Sequence, residues 1–280
     1  MSQPPHRPVR RAPRRLAVAV AVPVLLVGLV IVGVRVASGL SSTGTAWTDP
    51  DPPAAIASAA SASPSAAASA PASPSPSVSP PEVIPTSFPK SGPGTWRYAT
   101  DQGPVLGTAG NVLHFRVAIE TNVAVDVAGF ASKIDQALGD PRSWIAGHTF
   151  RLQRVPSTAK YDFTIYLATE ATSTKMCAAG GTDTDGYTSC RTVGKVIINL
   201  DRWYLSVPDY VNAGIPLDTY RTYVINHESG HQFGHGHELC PGNGKLAPIM
   251  EQQTLGLHGC LANPWPYVDG RRYAGPSGHY

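Results

Sequence analysis

One short run in the last quarter of the chain concentrates side chains able to do chemistry. It reads His227-Glu228-Ser229-Gly230-His231-Gln232-Phe233-Gly234-His235-Gly236-His237. His227 and His231 stand four positions apart. On a helix their rings lie one above the other and can grip one metal ion from the same face. Glu228 stands beside the first ring, within reach of a water on that metal. Gly234 permits a positive-φ exit from the helix, which swings His237 round as a third ligand. Three protein ligands and one open position describe a catalytic zinc, whereas structural zinc is normally closed by four. Three imidazoles also favour zinc among the divalent metals. The chemistry expected is hydrolysis by a water acidified by Zn2+, with Glu228 as general base. His235 lies between the ligands and is expected to face solvent.

The pattern HExxHxxGxxH resembles the zinc-binding consensus of the metzincin clan of metallopeptidases. Ala247-Pro248-Ile249-Met250, ending 13 residues after His237, resembles the methionine turn that the clan places beneath its metal. The longer run HESGHQFGHGH…CPG…APIMEQQT is similar to a group of exported actinobacterial proteins that share a metzincin-like domain of unknown function. This likeness extends over most of residues 95–270 and is strongest from Asn226 to Thr254. It implies His227, His231 and His237 as ligands, Glu228 as base, Met250 as the turn methionine, and peptide bonds as the target. There is a departure. Astacins and serralysins carry a tyrosine two places beyond the turn methionine, where this chain has Gln252. Tyr267 and His258 are the candidates to replace that tyrosine.

A scaffold must bring these residues together. Alternation marks strands at Val112–Glu120, Thr149–Val155, Tyr161–Ala168 and Val193–Leu200. Asp126–Leu138 sets Val127, Phe130, Ile134 and Leu138 on one helical face and ends at Gly139 and Pro141. A second helix starts at Asp218 and carries Tyr220, Val224, His227 and His231. Beyond Gly234 the chain reads as irregular. The class expected is α+β: a mixed, twisted sheet, the metal-binding helix, then an irregular part with the methionine turn. Val193–Leu200 immediately precedes the active helix, so it is expected to be the edge strand along which a substrate lies. Asp183-Thr184-Asp185-Gly186 hints at a calcium loop but lacks the later acid, and reads as a plain turn.

Four cysteines, Cys177, Cys190, Cys240 and Cys260, imply disulfides in an exported domain. They allow three pairings, and sequence does not choose among them. Cys177–Cys190 and Cys240–Cys260 are expected because each closes a Gly-rich loop. A thiolate metal site would want CxxC spacing, which is missing.

The rest of the chain concerns delivery. Residues 16–34 run without a charge, long enough to span a membrane. Arg7, Arg10, Arg11, Arg14 and Arg15 precede them, so a cytoplasmic tip (1–15), a single-pass anchor (16–37) and an exported remainder are expected. A cleaved signal peptide, releasing a secreted protein, is the alternative. Residues 38–93 are largely Ala, Ser and Pro and read as a disordered tether. Residues 94–280 are then one catalytic domain. Net charge is +3 overall, but six arginines and no acid fall in the first 40 residues, so the body is net −3. That argues against nucleic acid as a partner. The expected partners are peptide or protein substrates, cell-wall peptides included, with the membrane reached through 16–37. A non-catalytic, zinc-stabilised binding module of the cell envelope is the competing function.

Overall fold

The computed structural model describes residues 84–280. The basic tip, the expected anchor at 16–37 and most of the expected linker lie outside the described residues. No helix among the described residues is long and apolar enough to cross a membrane.

The organising element is a ten-residue strand, β3 (Asn111–Glu120). Trp96–Tyr98 forms β1 and Val105–Leu106 forms β2 ahead of it. The first half of β3 pairs in parallel with β4 (Phe150–Arg154), and its second half with β5 (Phe163–Ala168). β1 runs antiparallel to the far end of β3, and β2 antiparallel to β4. β5 pairs in parallel with β7 (Lys195–Asn199), and β6 (Cys190–Thr192) closes the edge antiparallel to β7. The strand order is β2-β4-β3-β5-β7-β6, a mixed sheet in an α+β fold.

Alternation sorts side chains onto two faces. Phe115, Val117, Ile119, Ile165, Val196 and Ile198 point into the larger core. There they meet α1 (Val127–Gly139) and α5 (Leu217–Gln232). Asp126 starts α1 as expected, its carboxylate accepting from the Gly129 N–H at 2.6 Å. The opposite face carries Ala118, Tyr166 and Ile197 under α2 (Glu170–Ala179). α2 was not expected, because ATSTK shows no apolar stripe; it buries Thr172, Ser173 and Cys177 instead. Two short helices, α3 (Leu200–Leu205) and α4 (Pro208–Asn212), bridge β7 to α5. Beyond α5 the chain is irregular except for the hairpin β8 (Tyr267–Val268) and β9 (Arg271–Arg272) and two isolated bridges.

Two expectations need correction. Val193–Leu200 is not an edge: β7 lies between β5 and β6, and β6 takes the rim. The chain turns back through Val193 and Gly194, so a short antiparallel strand covers β7. The linker also ends earlier than residue 93. Phe88 packs against Tyr204 with ring centroids 4.9 Å apart, Lys90 pairs with Asp201, and the Ala171 N–H donates to the Lys90 carbonyl. An apolar ring, a charge and backbone hydrogen bonds, including the Ser91 carbonyl accepting from Asn122, dock this Pro-rich stretch, which composition alone cannot reveal.

The cysteines pair sequentially. Cys177–Cys190 ties α2 to β6 with Cα atoms 6.0 Å apart, and Cys240–Cys260 clasps the irregular part at 5.9 Å.

Candidate metal centre

α5 ends by a backbone device that aims the third histidine. The His235 N–H donates to the Gly230 carbonyl and the Gly234 N–H to that of His231, a Schellman closure. Gly234 has φ +94°, a conformation that disfavours a side chain, although nothing crowds the space a Cβ would occupy. The chain then doubles back and His237 meets the helix. One ligand nitrogen from each of His227, His231 and His237 lies within 4.8 Å of the others.

The hydrogen bonds behind the rings define which nitrogens face inward. The His227 Nδ1–H donates to the Ile249 carbonyl at 2.8 Å, and the His231 Nδ1–H to the His235 carbonyl at 2.8 Å. A carbonyl only accepts, so each Nδ1 holds the proton and each Nε2 presents a lone pair. His231 Nε2 then stands 3.0 Å from His237 Nε2. Burial, followed by the neighbouring His231, pulls His237 down to about 4. Burial likewise holds His227 well below, and His231 below, the ordinary imidazole value. Neutral imidazoles with lone pairs converging at this range are a donor set for a divalent cation, so the residues fit zinc.

Glu228 is buried on the same helix and lines the same cleft. Burial alone pushes its carboxyl up to about 8. A cation between the imidazoles would draw it down again. The cleft holds about 620 Å³. One wall is α5 and the turn after it, another is Ser189–Arg191 of the β6 edge, and a third carries Gln252, Thr254 and Leu255. Thr182–Asp185 completes the rim as a turn, with the Asp185 N–H donating to Asp183 Oδ1.

Met250 is fully buried in a turn closed by the Glu251 N–H donating to the Pro248 carbonyl. Its sulfur sits under the helix, 2.5 Å from where a Cβ on Gly230 would fall. Gly230 was not singled out from sequence, yet it permits this approach and that of Trp144, 2.6 Å from the same point. A glycine inside a helical pattern was the available signal. Trp144 Nε1–H also donates to the Asn226 carbonyl at 2.8 Å, and its ring stacks on His235 at 4.2 Å. His235 is exposed, as expected, but its carbonyl orients His231.

Neither candidate to replace the missing tyrosine reaches the cleft. The Tyr267 hydroxyl lies against Gly147, and His258 stacks on Tyr280. Tyr267 opens the hairpin β8 and His258 lies in irregular chain, so proximity in sequence to the turn methionine says little about space. Cys240, Glu251 and Cys260 also cluster, but the two sulfurs are bonded to each other and offer no thiolate.

A family model described as a protein of unknown function (DUF3152) matches residues 83–260. The chain belongs to this family. Its matched span includes the helix, the third histidine, the Met250 turn, both disulfides and the docked Phe88 and Lys90. No curated protein and no solved structure matches the chain.

Proposed function

We propose that the chain is an exported, membrane-tethered zinc metallopeptidase of the metzincin kind. The observation that carries this reading is the convergence of three neutral imidazoles beside a buried carboxyl that makes no hydrogen bond among the described residues, all in one open cleft. His227, His231 and His237 would hold the ion. Zinc bound there supplies Lewis acidity, which acidifies a water and polarises a carbonyl. Glu228 takes the proton from the attacking water and passes it to the leaving amine. The buried position of Glu228 raises its proton affinity, which suits a base that must also act as an acid. The Ile249 carbonyl holds the ring of His227, and Met250 packs under Gly230 of the same helix, the place a methionine turn would take.

The substrate would lie extended along β6, the edge strand that lines the cleft, and extend the sheet by one strand. Two disulfides and no free cysteine suit an exported domain. The charge-free run at 16–34 with arginines before it supports an anchor.

The test is digestion of a quenched peptide library, with metal analysis of the same protein. Wild type should bind one zinc, cleave, lose cleavage to a chelator and regain it with zinc. Glu228→Ala should keep the metal and lose about 10²–10⁴-fold in rate. Zinc binding without cleavage by wild type favours the non-catalytic module, and equal rates in wild type and Glu228→Ala remove the base assignment.

A further inference from the structure

β6 places one more charged group in the cleft. Cys190 is bonded to Cys177 of α2, and Thr192 packs on Gly180 just beyond that helix. Strand alternation therefore turns Arg191 to the opposite face, towards α5. Its Nε–H donates to Gln232 Oε1 at 3.0 Å, and Gln232 directly follows His231. This bond orients the guanidinium beside the imidazole cluster and leaves its terminal N–H groups without a partner among the described residues. Two half-buried or buried arginines show the contrast: Arg154 sits between Asp101 and Asp135, and Arg272 meets Glu238. Arg116 and Arg151 meet no acid of the described residues either, but spend their N–H groups on Thr164, Ser157 and Gly110, away from the cleft. Arg191 is half-buried and pairs with no carboxylate of the described residues, although Asp183, Asp185 and Glu228 line the same cleft.

We infer that Arg191 is the specificity-determining residue of the cleft and receives a carboxylate of the substrate. The planar fork of a guanidinium matches a carboxylate with two parallel hydrogen bonds, and partial burial strengthens both. A neutral group at the same place would leave those donors unmatched. Because β6 is also the edge strand, a peptide paired with it would bring its carboxylate to Arg191 close to the metal-binding rings. In a peptide that carboxylate is either the chain's own C-terminus or an Asp or Glu side chain.

The inference rests on the peptidase reading only for its choice of a peptide, so binding and cleavage are measured apart. Full-length protein carrying Glu228→Gln, which blocks turnover, is titrated calorimetrically with two matched pairs of acetylated hexapeptides. One pair differs as C-terminal acid against amide, the other as internal Glu against Gln. At least one acid should bind about tenfold tighter than its neutral partner, the strength of a charge-assisted pair. That preference should fall to about twofold or less with Arg191→Gln, be partly kept by Arg191→Lys, and weaken with Gln232→Leu, which frees the guanidinium. Equal binding of acid and neutral peptides, no binding of either, or a preference that survives Arg191→Gln overturns the inference. The first two outcomes need no Arg191 variant, so misfolding of a variant cannot shelter it. In cleavage by otherwise wild-type protein, Arg191→Gln should raise KM for the acidic peptide about tenfold and leave kcat within about twofold. Carboxylate preference without any cleavage would remove the peptidase reading and keep Arg191; cleavage indifferent to the carboxylate would do the reverse.

Discussion

Two buried carboxyls, Glu228 and Glu251, differ in what surrounds them. Glu228 lines the same cleft as the imidazole cluster, where a cation would compensate its charge. Glu251 is fully buried and neither oxygen has a hydrogen-bond partner among the described residues. Burial pushes it up to about 7 from an ordinary value of 4.5. A raised folded-state pKa means the fold prefers the protonated acid, so stability is full below about pH 4.5 and declines as pH rises towards 7. Glu251→Gln keeps the shape and removes that decline. Chemical denaturation at pH 5 and pH 8 should show the variant gaining up to about 3 kcal/mol over wild type at the higher pH. An unchanged pH slope would show that Glu251 is already compensated. Gly230 tests the packing below the ligands. Gly230→Ala drives a Cβ into Met250 and Trp144 and should cost about 1–3 kcal/mol, with weaker zinc binding, because the helix must move off its support.

Among the elements, the start of α2 is held by a carboxylate from another strand. Glu120, at the end of β3, is fully buried and accepts four hydrogen bonds. They come from the Gly94 N–H, the Thr169 N–H, and the hydroxyls of Thr169 and Thr172, all at 2.7–2.9 Å. Burial pushes the Glu120 pKa up, but these bonds together outweigh it and hold the carboxyl below its ordinary value. The stabilisation is therefore present above the ordinary carboxylate pKa and is lost as pH falls through the lowered one. Glu120→Gln should cost about 1–3 kcal/mol at pH 7, and the gap to wild type should narrow below about pH 4. A constant gap from pH 7 to pH 3 would mean the charge contributes nothing. The Cys177–Cys190 bridge joins the same helix to β6, so reducing it should loosen the strand that carries Arg191. A loop of this length is worth about 3 kcal/mol in the chain-entropy model.

At the scale of the whole molecule, the proposed metal would bear on global stability, and so does the docked segment. An ion held by residues from α5 and the chain beyond it binds only the folded state. Zinc at about 100 times its dissociation constant should add about 2.7 kcal/mol, or some 5–10 °C in Tm for a domain of this size. Calorimetry with and without chelator measures it, and an unchanged Tm would sink the three-histidine site. Residues 84–94 contribute through Phe88, Lys90 and the Gly94 N–H. A chain beginning at 95 should melt below one beginning at 84, even though composition assigns those residues to the tether.

Local pattern made the site and most central elements legible. The i, i+4 histidines, the neighbouring Glu228 and Gly234 all act through one helix and its exit, so spacing alone specifies them. Alternation located β3, β4, β5 and β7 to within two or three residues because each buries a face along its length. Tertiary structure decided everything that depends on contacts between distant segments. That β6 rather than β7 forms the rim follows from a turn at Val193 and Gly194 that no periodicity records. Glu120 under α2, Met250 under Gly230 and Arg191 beside His231 each join residues 20 to 52 positions apart. Linear spacing encodes direction along one element, whereas the meeting of two elements is set by how their faces pack, and no single stretch of residues contains that.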